Sequence, residues 1–167
     1  MVQVLIGIII LAIILFGAVF AFQKITGRKI QALKDRREDL RQLHVDQQVN
    51  AGHQLSLTGQ SLTAFNGLND EYQNVETKTL PQVDQITNQL LVDARGINFV
   101  KTRTELQQAT DLLDDATEKL THVQGGLDAL KKVDSDHRAA VSQLEKKYQD
   151  LRKVLLSQNL SFGDSID

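Results

Sequence analysis

Hydrophobic residues are distributed along this chain in two ways. From Val4 to Phe22 the run VLIGIIILAIILFGAVFAF is apolar on every face and carries no charge, proline or amide. Nineteen residues in a helix span roughly 29 Å, close to the thickness of a bilayer's hydrocarbon core. A helix also satisfies its own backbone groups in lipid. The run therefore predicts a transmembrane helix. A cleaved signal peptide would want basic residues ahead of the run and a small-x-small site after roughly 7–15 apolar residues. Only Met1, Val2 and Gln3 precede it, so a retained anchor is expected.

After Phe22 the apolar positions recur with helical period, and period-two alternation is almost absent. The longest seam runs Phe99, Thr102, Leu106, Ala109, Leu113, Ala116, and continues through Leu120, Val123, Leu127, Leu130 to Asp134 and His137. It resumes at Val141, Leu144, Tyr148, Leu151 and Leu155. Spacings of three and four alternate throughout, so one helix of about 57 residues, roughly 85 Å, is expected. Asp134 and His137 are a polar interruption that would pin register. Gly125 and Gly126 fall between seam positions and cost about 1 kcal/mol each relative to alanine without breaking the phase.

Upstream, Leu62, Phe65, Leu68, Tyr72, Val75, Leu80, Val83, Ile86, Leu90 and Ala94 form a second stripe that drifts around Pro81. The proline predicts a kink or a division near Leu80. Ile30, Leu33, Leu40 and Leu43 share a third phase, which shifts at Val45 and Val49, so a break is expected near His44–Asp46. LTGQS at 57–61, hinged on Gly59, and DARGIN at 93–98 read as turns.

Three helical segments result, at about 24–56, 60–95 and 99–158. The expected fold is all-α: a single transmembrane helix followed by a spectrin-like antiparallel three-helix bundle with a long protruding third helix. The corresponding division is residues 1–23 as anchor, 24–128 as a first repeat and 129–167 as a continuation toward a second. Helices of about 33 and 36 residues cannot cover a partner of about 60. The seam from about Leu130 to Leu155 thus needs a second copy of the chain (a homodimer), another protein, or more of the same polypeptide. The last choice, with SFGDSID following the seam, makes a fragment of a longer repeat protein the expectation.

Charge sets the orientation. Between Lys24 and Arg41 lie seven basic and three acidic residues, a surplus of +4 that leaves −6 for the remainder of a chain whose formal net charge is −2. Basic residues beside a span stay on the cytoplasmic side, so the region after the anchor is expected in the cytoplasm, with a short N-terminus outside. Lys24, Arg28 and Lys29 are the candidate membrane-interface residues, placed to touch anionic headgroups or simply to fix topology. The acidic distal part argues against nucleic acid as a partner. Without cysteine there is neither disulfide nor thiolate chemistry.

At this point several features taken in order resemble a known family. They are the early span, the basic helix behind it, LTGQ (Leu57–Gln60) followed by Phe65, LPQV (Leu80–Val83) and Phe99-Val100-Lys101. LEKKYQDLRKVLL (Leu144–Leu156) and Phe162-Gly163 complete the series. The chain resembles the amino-terminal part of the EzrA family, septation ring formation regulators of low-GC Gram-positive bacteria. The resemblance implies a single-pass membrane protein with cytoplasmic spectrin-like repeats. It also implies restraint of FtsZ ring assembly, contacts with other division proteins, and enrichment at the septum. The family's QNR patch and the tryptophans that follow its LTGQ are absent here.

Catalytic chemistry is not expected. GDS at Gly163–Ser165 matches a hydrolase nucleophile motif but lacks the downstream chain that motif requires. DSDH at Asp134–His137 offers two ligands, too few to close a zinc site. His44, His53 and His122 share no spacing and read as exposed helix positions. No phosphate-cradling glycine loop is present, and no cofactor is called for. The acidic stretch Asp111, Asp114, Asp115 and Glu118 is a candidate partner surface or a solvated face. A structural membrane stalk or coiled-coil tether with no role in FtsZ regulation is the competing function. It would want one nearly unbroken helix, against which the turns at 57–61 and 95–98 count.

Overall fold

The structure, a computed structural model, describes residues 2–93 and 98–163. Five α-helices follow in order: α1 (Val2–Gln42), α2 (Val45–Gly52), α3 (Gln60–Asn74), α4 (Leu80–Asp93) and α5 (Phe99–Gly163). A π-helical turn, Val75–Thr79, joins α3 to α4. Among the described residues there is no strand.

α1 runs without a break from the apolar segment into the polar part of the chain, over 41 residues or about 62 Å. Its N-terminal run is long and apolar enough to cross a membrane, and none of it is buried against protein. From Thr26 onward one face turns inward at Thr26, Ile30, Leu33 and Leu40. Between Leu33 and Leu40 the apolar phase skips a turn, and two arginines occupy the gap. Arg36 pairs with Asp114 of α5 at 2.6 Å and Arg37 with Asp84 of α4 at 3.3 Å. α1 thus lies in the furrow between α4 and α5.

The break expected near His44–Asp46 falls at His44 itself, in left-handed backbone (φ 49°, ψ 37°). That conformation costs a residue with a Cβ about 1–2 kcal/mol. It rotates the chain so that Val45 and Val49 of α2 face the same core. α2 stops at Gly52, short of the expected 56, where the Gln54 and Leu55 N–H groups donate to carbonyls three residues back; Phe65 packs where a side chain on Gly52 would sit. Gly59, with φ 55°, then turns the chain into α3.

The second rod is divided where Pro81 predicts it, α4 beginning at Leu80 directly after the π turn. Val75 and Leu80, five residues apart, are both buried, a spacing that α-helical geometry would place on different faces. The π turn absorbs it: the Leu80 N–H donates to the carbonyl of Val75, five residues back. Pro81 lies in the first turn of α4, where the N–H it lacks is least needed. Leu62, expected on the stripe, is instead exposed, whereas Thr79 and Thr87 are buried.

α5 is one helix of 65 residues, about 98 Å long, continuous through Gly125 and Gly126. It packs against all the other elements, and a single hydrophobic core joins the three rods α1–α2, α3–α4 and α5. α1–α2 runs parallel to α5: Arg36 meets Asp114 and Ser56 meets Asp134, each 78 residues on. α3–α4 runs antiparallel, with Glu71 against His122 and Asp93 against Lys101. The turn expected at DARGIN lies largely outside the described residues, as does Ser165.

Candidate functional site

Two surfaces remain once the core is accounted for, one at each end of the packed region. The first is the end next to the apolar segment. Phe22, the last residue of the apolar run, meets Phe99, the first residue of α5, edge to face with ring centroids 4.4 Å apart. The start of α5 is held by Asn98, whose Oδ1 accepts the Lys101 N–H at 3.1 Å and whose carbonyl accepts the Thr102 hydroxyl at 2.9 Å. This is an N-cap, and it satisfies amide groups that the helix leaves open. Lys101 Nζ lies 2.7 Å from Asp93 Oδ2 and 3.6 Å from Glu105, clamping the last turn of α4 to the first turn of α5. Hydrogen bonds from Lys101 and Gln89 hold the Asp93 carboxyl below its ordinary range, and Asp93 raises Lys101 in turn.

Lys24, Arg28 and Lys29 all lie exposed on α1, on the faces left open by Thr26 and Ile30. They follow directly on the apolar run. Arg36 and Arg37, part of the same basic stretch in sequence, are spent on cross-helix ion pairs. The Leu33-to-Leu40 gap in the apolar phase was the sequence signal that could have separated the two groups.

The acidic stretch is likewise partly internal. Asp114 is the partner of Arg36, Asp115 pairs with Lys119 at 2.7 Å, and Asp111 accepts from Gln107 at 2.8 Å. Glu118 lies exposed. The four residues do not converge into one open acidic site.

The second surface is the distal seam of α5. Asp134 is the last seam residue in the core, only 7% exposed. Its Oδ1 accepts the Ser56 backbone N–H at 3.2 Å, and its Oδ2 binds Arg138 at 2.8 Å. It therefore closes the end of the α2–α3 linker as well as interrupting the seam. His137 is exposed and takes no part. Val141, Leu144, Tyr148, Leu151 and Leu155 stand between 41% and 65% exposed.

Two histidines have structural settings that were not expected. His53 follows α2 and sets its ring edge-on to Phe65 with centroids 4.8 Å apart, and His44 is the left-handed residue ahead of α2. His122 sits exposed on α5 with Nδ1 2.7 Å from Glu71. Among the described residues no group of three His, Cys, Asp or Glu is placed to hold a metal ion.

Comparison with known proteins bears on the whole chain. Residues 4–167 match the family described as Septation ring formation regulator, EzrA. A protein of that name from Lactiplantibacillus plantarum is 38% identical over 165 residues, which is 99% of this chain and 29% of the relative. Its namesake from Bacillus velezensis is 22% identical over 97% of this chain, and one from Listeria monocytogenes serotype 4a is 20% identical over 99%. The chain spans 29% of the length of each of these relatives. No solved structure matches. With the family's features present from the apolar run to the end of α5, the chain belongs to the EzrA family of septation ring formation regulators.

Proposed function

We propose that this chain is the membrane-anchored part of a cell-division regulator. In this reading it restrains FtsZ ring assembly and serves as a cytoplasmic interaction scaffold at the septum. The observation that carries the proposal is α1, one uninterrupted helix that is bare and apolar at its start and packed into a core further on. A rod so built cannot swing freely about its anchor. It holds α5 upright beside the membrane and raises its effective concentration near membrane-bound filaments. The name carried by the relatives supports septation as the process. The basic surplus after Phe22 supports a short N-terminus outside and the remainder in the cytoplasm.

Three rods around one core support a spectrin-like first repeat following an anchor at 1–23. The burial of Asp134 extends that repeat about two turns past residue 128, with the rest of α5 continuing toward a second. Lys24, Arg28 and Lys29 act at the lipid surface, where each contributes about 1 kcal/mol if it meets an anionic headgroup.

The test is co-sedimentation of the full chain, reconstituted in nanodiscs, with GTP-assembled FtsZ from the same organism. Saturable pelleting, or a drop in pelleted polymer, is expected. No effect, with the longer Lactiplantibacillus relative active in the same assay, leaves this part as a stalk or tether without a role of its own in FtsZ regulation.

A further inference from the structure

The two valines beside the α4–α5 connection have no place in the core. Val92, in the last turn of α4, is 66% exposed, and Val100, in the first turn of α5, is 78% exposed. Leu91 and Phe99 next to them are also exposed, at 40% and 37%. The Asp93–Lys101 clamp brings these two turns side by side, and the Phe22–Phe99 contact fixes their height: the level at which the apolar run ends. Ile25, one turn along α1, is exposed as well. A soluble repeat gains nothing from showing an apolar tip to water.

The charges around this tip are suited to one kind of surface. Lys24, Arg28 and Lys29 are exposed on α1, and Lys29 and Arg103 line the same groove between α1 and α5. Apolar residues at the extremity with cations just above them is the arrangement of an element lying in a membrane interface. There the apolar part sinks about 5–10 Å and the basic groups meet headgroups. From their continuity with the apolar run, their level and the charge around them, we infer that the last turn of α4 and the first turn of α5 form a second membrane contact. Val92, Phe99 and Val100 dip into the headgroup–acyl boundary of an anionic bilayer beside the span. The first repeat thus stands on the membrane at two points, which fixes its tilt as well as its position. The inference rests on the assignment of α1 as a membrane span.

The absence of native cysteine lets one introduced thiol report one position. The full chain, carrying Phe16→Cys, Val100→Cys or Glu118→Cys labelled with an environment-sensitive fluorophore, is reconstituted into phosphatidylcholine–phosphatidylglycerol vesicles. Nitroxides placed deep or shallow in the acyl chains, and iodide in the water, serve as quenchers. Position 16 should lose emission to the deep nitroxide, position 100 to the shallow one, and position 118 to iodide only. If position 100 behaves like position 118 while position 16 is quenched from the lipid, the second contact is overturned and the span stands. Shielding of position 100 from lipid and iodide alike overturns it too, because a protein then covers the tip. No lipid quenching at position 16 removes the span, and the inference with it.

Discussion

The two halves of α5 carry the same pattern and meet opposite fates. From Thr102 to Asp134 the seam is buried but for the half-buried Leu106, with Ala109, Leu113, Ala116 and Val123 fully withdrawn from water. From Val141 to Leu155 residues at the same spacing lie open, Leu144, Tyr148 and Leu151 each more than 60% exposed. Phase does not distinguish them, and the helix between them is unbroken. The difference lies in the reach of the other two rods. α2 and α3 are joined at a linker that Asp134 ties to α5 through Ser56, and among the described residues no other element accompanies the helix beyond that tie. A heptad seam states that a helix expects a partner without naming it.

The largest effect should come from breaking the covered half. Leu120 and Leu127 are 2% and 1% exposed. Replacing either with aspartate removes the transfer free energy of a core leucine and leaves a carboxylate in an apolar site, on the order of 4 kcal/mol or more. Leu120→Asp with Leu127→Asp should unfold the core of the full chain in detergent micelles, seen as loss of the cooperative thermal transition. An unchanged transition would refute the packing described here.

Asp134 marks the boundary between the halves, and its effect should be intermediate. Asp134→Ala strips the Ser56 N–H of its acceptor in a half-buried setting, a loss of about 1–3 kcal/mol. Asp134→Asn keeps an acceptor and should recover part of it. Equal melting temperatures for the two variants would mean that the Arg138 pair, not the linker tie, is what matters.

These two sites show where the sequence was transparent. The covered seam, the break at His44, the hinge at Gly59 and the single long helix all follow from period and from turn residues, which are local signals. The roles of Arg36, Arg37 and Asp134 were hidden, because each depends on a residue 47–78 positions away. The division near Pro81 was legible as well, but not its form: the five-residue step from Val75 to Leu80, already visible as drift in the stripe, was the trace of a π turn that keeps both residues in the core. At the candidate membrane end, Lys24, Arg28 and Lys29 were legible from their position behind the span. Val92 and Val100 were not, since Val92 falls between the stripe positions Leu90 and Ala94 and Val100 directly follows the seam residue Phe99.

The paired glycines offer a finer test inside the covered half. A Cβ on Gly125 would meet nothing within 4 Å, whereas one on Gly126 would lie 2.6 Å from Leu68 Cδ1. Gly125→Ala should therefore stabilise by about 1 kcal/mol through helix propensity alone. Gly126→Ala gains the same propensity but must displace a buried leucine, at about 1–3 kcal/mol, so it should be neutral or destabilising. Thermal melting of the two single variants separates them. A gain at both positions would show that Leu68 yields without cost and that α3 sits loosely on α5.

The smallest effect belongs to the open half and sharpens the comparison most. Leu144→Ala and Leu151→Ala remove the same groups as a core truncation would, from positions 65% and 62% exposed. Leucine and alanine both favour helix, and neither variant opens a cavity. The full chain should melt within about 0.5 kcal/mol of the parent, against about 2–5 kcal/mol for Leu113→Ala in the covered half. A large, concentration-dependent loss at Leu144 or Leu151 would mean that a second copy of the chain already covers the distal seam. Absence of loss in this chain, together with loss when the same leucines are changed in the longer Lactiplantibacillus relative, would place the missing partner further along the same polypeptide. The heptads from Val141 to Leu155 would then be the first strand of a core that the rest of the chain completes.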